Sequence, residues 1–447
     1  MLPTRRILGP ALALALSAAV AVPSAVADPA PAPPASGATS GAGDTTSQLV
    51  PEPSRVPAAE RLAASTASSD LTSRIVAKLA NRAAHAGGMT PAFSGRVTDA
   101  AGRTIWEKGG TTTRMPASTM KLVTSVTAIR SMGPNFRFTT PVLQDPRYRS
   151  TVYLKGVGDP RLTSSELLVM ARTAATSLKS QRITVVNVRV DDFLFPTPTL
   201  ASGWKSSYLP GDVAPVRALV VNSRNVNDTA IDAGNLFATY LRGQGIAVRT
   251  VARQRAASRI PVLATTVSSP LSTILGTMLN SSQNDYAEIL LREAAARRGR
   301  PTTWAGATGN AMAVLKAELI GTYGFRMYDA SGLSRNDRMP TATLTSLLTK
   351  VAADPTLSAV ILPRTALPVA GQTGTLASRF RTSPYSCAAG RVHAKTGTLA
   401  DVVALSGYAE GVDGSVRPFA FLFNGVRSTA SSRLTADLLA TTTTGCY

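Results

Sequence analysis

The sequence predicts an α+β fold, an antiparallel sheet flanked by helices, interrupted by an inserted strand-rich domain. Three observations predict it: strand-like runs at both ends of the folded region, long helical periodicities between them, and a change of texture after residue 135. There the chain turns to short strand-like runs ("STVYLKG", "ITVVNVRVDD", "RALVVN", "IAVRTVAR") separated by Gly, Pro and Asn. At 447 residues the chain exceeds the usual single-domain size and has ample length to bury a core.

The elements follow in order. Arg5 and Arg6 precede an apolar run from Ile7 to Val22, and Ala25-Val26-Ala27 precedes Asp28, so residues 1–27 read as a secretory signal peptide. That run is short for a membrane span and Pro10 interrupts it; no other reaches about 18 uncharged apolar residues. A secreted, extracytoplasmic and wall-associated protein is expected rather than one held by an uncleaved N-terminal anchor. Residues 28–68 are dominated by Pro, Ala, Ser, Gly and Thr and read as a flexible linker. The first part of the main domain, 69–135, opens with a helix placing Leu71, Ile75, Val76 and Leu79 on one face, with Gly87 as its stop. A hairpin around "DAAG" follows, then a helix whose first turn holds Pro116 and Ser118. The inserted domain spans 136–261. The second part, 262–447, resumes with helices over "LSTILGTMLN" and "NDYAEILLREAAARR" and ends in the hairpin "VALSGYAE"/"RPFAFLFNGV" and a helix over "SSRLTADLLATT". Joining the first and last strands in one antiparallel sheet closes the fold.

Composition narrows the function classes. The formal net charge is +21, with 38 Arg and 9 Lys, and such a field attracts polyanions. No nucleic-acid-binding motif is present and aromatic residues make up only 5%, so nucleic acid is not the expected partner; an exported protein meets anionic wall polymers instead. Two cysteines and two histidines, His85 and His393, are too few for the ligand clusters of a zinc site, and no metal or cofactor is expected. A Ser-His-Asp triad would have to rest on one of those two histidines. Export makes Cys387 and Cys446 the expected disulfide pair.

Three motifs carry chemistry. Ser118 and Lys121 are spaced i, i+3 on a helix, so an amine can reach a hydroxyl and take its proton. A second match, Ser202-Gly203-Trp204-Lys205, has a glycine inside it and a loop-like setting. Lys395-Thr396-Gly397-Thr398 reads as a strand on which glycine lets a peptide substrate lie against the edge, while lysine and two threonine hydroxyls hold a carboxylate. A Ser-x-Asn element occurs three times, at Ser223-Arg224-Asn225, Ser282-Gln283-Asn284 and Ser334-Arg335-Asn336; only Ser282 and Asn284 stand at a junction between two helical runs, where polar side chains can enter a cleft.

The ordered trio resembles the active-site serine penicillin-recognising enzymes, the penicillin-binding/β-lactamase-like transpeptidase fold. It is most similar to the class C low-molecular-mass penicillin-binding proteins, D-Ala-D-Ala carboxypeptidases and endopeptidases. "PASTMKL", "YLKGVGDPRLT", "VDDFLF", "NDYAEILL", "DASGLSRND", "LPVAGQTGTLASRF" and "GRVHAKTGTL" carry the likeness from about residue 90 to the end, and it selects Ser282 over Ser334. Two features depart from the family pattern: the middle motif is Ser-Gln-Asn, and the gap from Ser118 to Ser282 is shorter than in the largest members.

The resemblance implies a serine peptidase acting on peptidoglycan stem peptides. Ser118 would attack the penultimate D-alanine and neutral Lys121 would take its proton. Ser282 would relay a proton to the leaving amine, and Asn284 would hold the substrate's peptide carbonyl. Lys395, Thr396 and Thr398 would hold the terminal carboxylate, and the Ser118 and Thr398 amides the oxyanion. β-Lactam antibiotics would acylate the same serine. The alternatives are a serine β-lactamase, for which no deacylating glutamate is evident, and a non-catalytic basic wall-binding protein.

Overall fold

The computed structural model describes residues 58–447; the expected signal peptide and the linker up to residue 57 lie outside the described residues. The first element, helix α1 (Ala58–His85), reaches back into the stretch read as a flexible linker to residue 68. Alanine-rich "AAERLAAS" has high helix propensity, which outweighs the low content of large apolar residues. Ile75 and Leu79 on α1 are fully buried.

Strands β1 (Ala92–Thr98), β2 (Thr104–Lys108) and the short β3 (Thr113–Arg114) lead to a 3-10 turn at Ala117–Thr119 and helix α2 (Met120–Met132). The next segment carries β4 (Thr139–Gln144), β5 (Thr151–Lys155), helix α3 (Ser164–Ser180), β6 (Val185–Asp191), helix α4 (Thr229–Gly243), β7 (Ala247–Arg253) and β8 (Val262–Val267). Helices α5 (Leu271–Ser281), α6 (Asn284–Arg297) and α7 (Trp304–Ala317) follow, then β9 (Met339–Pro340), α8 (Thr341–Ala353) and α9 (Pro355–Ile361). The chain closes with β10 (Val392–Leu399), β11 (Val402–Glu410), β12 (Val416–Asn424) and helix α10 (Thr429–Thr443).

The main sheet runs β10-β11-β12-β1-β2, so the first strand of the fold pairs with the last, Phe93 opposite Phe423 and Gly95 opposite Phe421. One face packs on α1 and α10 through Phe93, Phe419, Phe421 and Phe423, each buried aromatic contributing roughly 1.5–3 kcal/mol. The other face packs on the helical layer around α2, with Leu122, Val126, Leu290, Leu344 and Leu348 at its centre.

A second sheet, ordered β7-β6-β5-β4-β8, forms the insertion. It is strand-rich, yet β5, β6 and β7 pair in parallel, and α3 and α4 supply the crossovers that parallel strands require. Neither helix is among the elements that the strand-like texture of the segment predicts. Nor is "RALVVN" a strand: Leu219 makes only an isolated bridge with Asp159. The boundary expected at residue 261 also shifts, because β8 pairs with β4 through Thr139 and Val267 and so belongs to the insertion's sheet. Phe195, Trp204, Val213 and Val216 of the insertion share a buried cluster with Ile289 on α6 and Leu333, which ties the two sheets' surroundings together. The structure joins Cys387 and Cys446, fastening the chain end to the segment ahead of β10. Among the described residues no helix is long and apolar enough to cross a membrane.

Candidate active site

Ser118 sits in the 3-10 turn that opens α2, and two glycines hold that turn from either side. Ala117 takes a positive φ of 46°, a conformation costly for a residue with a side chain. Gly332 packs so tightly on it that a Cβ there would lie 1.9 Å from the Ala117 carbonyl oxygen. On β10, a Cβ at Gly397 would stand 3.0 Å from the Ala117 Cβ, the Pro116 oxygen and the Ser118 nitrogen. Glycine at 397 was expected to clear room for substrate. Its contacts show that it also lets β10 approach the serine turn.

Lys121 is fully buried one helical turn beyond Ser118, and its Nζ donates to Ser118 Oγ at 2.9 Å, Asn284 Oδ1 at 2.7 Å and the Ser331 carbonyl at 2.9 Å. All three donors of the ammonium are thereby used. Burial lowers its pKa to about 8, while Asp329, Glu288 and Asp285 pull the other way. Lys395, also fully buried, donates to Ser282 Oγ at 2.8 Å and to the Thr396 carbonyl at 2.9 Å. Burial first, then the charge of Lys121, hold Lys395 well below the ordinary lysine value, with no carboxylate opposing them.

Ser282 ends α5 in a left-handed conformation, φ 61° and ψ 38°, and Asn284 begins α6 two residues later. The break between these helices projects both side chains toward the lysines. Asn284 also donates to the Asp212 carbonyl at 2.8 Å, so a loop of the insertion buttresses it. The structure therefore brings Ser118, Lys121 and Asn284 into one hydrogen-bonded group and sets the Lys395–Ser282 pair beside it, with Gly397 against the serine turn. Thr396 bonds its Oγ1 to that of Thr375 at 2.8 Å, and Thr398 is exposed beyond it.

Strand β10 is the edge of its sheet. Its outer edge is covered at the start, where Ala370 N donates to Val392 O and Ala394 N donates to Pro368 O, both at 2.9 Å. The two-residue period of a strand turns the Thr396 and Thr398 amides to the same edge as that of Ala394, beside Ser118. An unpaired edge of this kind accepts an extended peptide.

Several contributors escaped the sequence reading. Glu288, one turn beyond Asn284 on α6, is buried and accepts from the Ala330 and Ser331 amides, at 3.0 and 2.8 Å. Asp329 accepts from the Gly332 and Ser334 amides and from Trp204 Nε1. These carboxylates shape the loop whose Ser331 carbonyl meets Lys121; in the sequence Asp329 stands in "DASGLSRND" and Glu288 in "NDYAEILL", both legible only as family text. The remaining motif matches are structural. Ser334 Oγ donates to the Ser202 carbonyl, Trp204 of the Ser202–Lys205 match packs in the same place, and Lys205 is exposed. Ser223 and Asn225 bond loop carbonyls of Pro160 and Gly211. His393 stacks on Tyr408 at 4.6 Å between ring centroids, and His85 Nδ1 lies 3.0 Å from the Asn81 carbonyl, so neither is engaged with Ser118. Among the described residues no group of three or more His, Cys, Asp or Glu converges as a metal ion requires.

Comparison with known proteins identifies the family of the chain. The D-Ala-D-Ala carboxypeptidase 3 (S13) family matches residues 75–225 and 209–444. The chain is similar to Carboxypeptidase DacB of Mycolicibacterium smegmatis, 32% identical over 378 residues, covering 79% of this chain and 81% of that protein. It is similar to a D-alanyl-D-alanine carboxypeptidase of Actinomadura sp., 27% identical over 443 residues, with 75% and 79% covered. In fold it resembles penicillin binding protein 4 (dacB) from Haemophilus influenzae, with a TM-score of 0.70 at 20% identity over 81% of this chain and 99% of that one.

Proposed function

The chain belongs to the D-Ala-D-Ala carboxypeptidase 3 (S13) family, and from that premise we propose that Ser118 is the nucleophile of its reaction. It is a serine-type D-Ala-D-Ala carboxypeptidase and a penicillin-binding protein, with peptidoglycan as its substrate. The observation that carries the assignment is Lys121 Nζ, buried and hydrogen-bonded at once to Ser118, Asn284 and the Ser331 carbonyl.

In the proposed sequence, Lys121 without its proton accepts that of Ser118 as Oγ bonds to the carbonyl carbon of the penultimate D-alanine. The oxyanion lies against the amides of Ser118 and Thr398. The C–N bond then breaks, Ser282 passes a proton to the departing amine, and the ester on Ser118 is released by water. Asn284 holds the substrate's peptide carbonyl, and Lys395 with Thr396 and Thr398 faces the terminal carboxylate. Two buried lysines cannot both stay charged cheaply. A docked carboxylate gives Lys395 the counter-ion it lacks, which lets Lys395 keep a proton while Lys121 gives one up.

Cleavage of a peptide cross-link uses the same acyl-enzyme and differs only in the leaving amine, so endopeptidase activity belongs to the same reading. Membership of a cell-wall carboxypeptidase family supports a location outside the cytoplasm, where the net charge of +21 would favour contact with anionic wall polymers. Intact-mass analysis after β-lactam treatment, with the modified peptide mapped, tests the nucleophile. A covalent adduct on Ser118, lost together with D-alanine release in Ser118→Ala, is the expected result; an adduct on any other residue overturns it.

A further inference from the structure

We propose that Arg433 and Thr398 form the subsite that reads the carboxylate of the leaving residue, with Arg433 supplying its permanent positive charge. The inference rests on the carboxypeptidase reading and deepens it.

The cation assigned to that carboxylate by motif is Lys395. It is completely buried, and two of its three donors are spent on Ser282 and the Thr396 carbonyl. Arg433 is its opposite. It lies in the first turns of α10, its side chain is exposed, and Nη2 donates to Thr398 Oγ1 at 3.3 Å. Among the described residues its guanidinium joins no ion pair. The acid one turn along the helix, Asp437, is claimed by Arg379, whose Nε lies 3.1 Å from Asp437 Oδ2. Arg379 also donates to the Arg433 backbone carbonyl at 3.4 Å, which steadies that turn. Helix α10 is anchored on the sheet, and its N-terminus is capped by the Ser428 side chain.

The result is an exposed guanidinium at the outer end of the open edge of β10, with Asp437 near enough to feel its charge but bonded to Arg379 instead. Thr396 and Thr398 point to one face of that strand, two residues apart. A carboxylate placed between their hydroxyls comes within reach of the Arg433 fork, whose paired N–H groups match two carboxylate oxygens. Arginine keeps its proton at any working pH, so this charge does not depend on the state of the buried lysines.

The test compares the full chain with Arg433→Ala and Arg433→Lys on two matched pairs. One pair is a stem-peptide analogue ending in D-Ala-D-Ala and its C-terminal amide, read by D-alanine or D-alaninamide release. The other is benzylpenicillin and its methyl ester, read by the rate of Ser118 acylation in intact-mass spectra. Arg433→Ala is expected to lower kcat/KM for the free acid by about ten- to a hundredfold, mainly through KM, and to shrink the acid-to-amide and acid-to-ester ratios by the same factor. Arg433→Lys is expected to recover part of the loss. Equal losses on both members of each pair, or no loss, overturn the proposal. The penicillin pair keeps the two readings apart. Should the wild-type chain release no D-alanine, the carboxypeptidase reading fails, while the acid-to-ester ratio still decides the role of Arg433.

Discussion

Gly397 and Ala117 face each other so closely that a Cβ on the first would stand 3.0 Å from the Cβ of the second. This contact docks the edge strand on the serine turn, and with it sets the distance between the Ser118 amide and the Thr398 amide. Gly397→Ala should push the two apart. Overpacking of this kind costs roughly 1–3 kcal/mol, and a shift near 1 Å at a reacting centre costs on the order of a hundredfold in rate. A modest fall in Tm with a hundredfold slower penicillin acylation is the expected pair of results, read by thermal melting and by adduct formation over time.

Acylation should rise with pH. Lys121 must lose its proton to accept that of Ser118, and burial has brought its pKa down to about 8. Below that value the neutral fraction falls tenfold for each pH step, so the logarithm of the acylation rate should climb with unit slope and then level off. Single-turnover acylation by a β-lactam across pH 5.5–9.5 measures it. A rate flat through this window would mean that Lys121 is not the titrating base.

Glu288 supplies a stability prediction. Burial first and Asp329 second raise its pKa above the ordinary carboxyl value, so the folded chain keeps a proton that the unfolded chain has already lost. The associated stabilisation is complete below the unfolded value and is lost as pH rises through the folded one. Glutamine has no such proton. The Tm of Glu288→Gln relative to wild type should therefore increase from pH 5 and level off once pH passes the folded value of about 8; a constant difference would mean that Glu288 does not carry the shift.

The Cys387–Cys446 bridge closes a loop with a sequence separation of 59. Chain-entropy reasoning gives a bond of this span about 4 kcal/mol, at the upper end of the usual range. A Cys387→Ser/Cys446→Ser double variant should melt earlier under oxidising conditions and match the reduced wild type, while still forming the β-lactam adduct at moderate temperature. Equal melting of variant and oxidised wild type would remove the bridge from the stability balance.

Much of the architecture was legible because it is written in local patterns. The hairpin around "DAAG" and the α5–α6 junction at Ser282 follow from strand and helix periods that neighbouring residues set by themselves. The insertion was read less well. In "SSELLVMARTAATSLKS" and "TAIDAGNLFATYLRG" the helical period was present, but the adjacent β-branched runs dominated the reading, and parallel pairing cannot be seen from within a strand. Asp329, Glu288 and Arg433 were missed for a different reason. Glu288 and Arg433 act on residues distant in sequence, and a lone acid or arginine in a helix looks like surface charge; Asp329 sits in a loop, where its burial is set by the packing around it.

By itself the sequence determined which side chains are available and their short-range order: a serine three residues before a lysine, a serine two before an asparagine, a lysine and glycine on a strand. Helix and strand geometry make those spacings meaningful without any knowledge of the rest of the chain. Only the tertiary structure decided that Lys121 spends its three donors on Ser118, Asn284 and Ser331, and that Gly397 serves packing. It also decided that an arginine from the last helix reaches Thr398. Those relations depend on burial and on contacts between residues as far apart in sequence as Ala117 and Gly397, quantities that exist only once the chain has closed on itself.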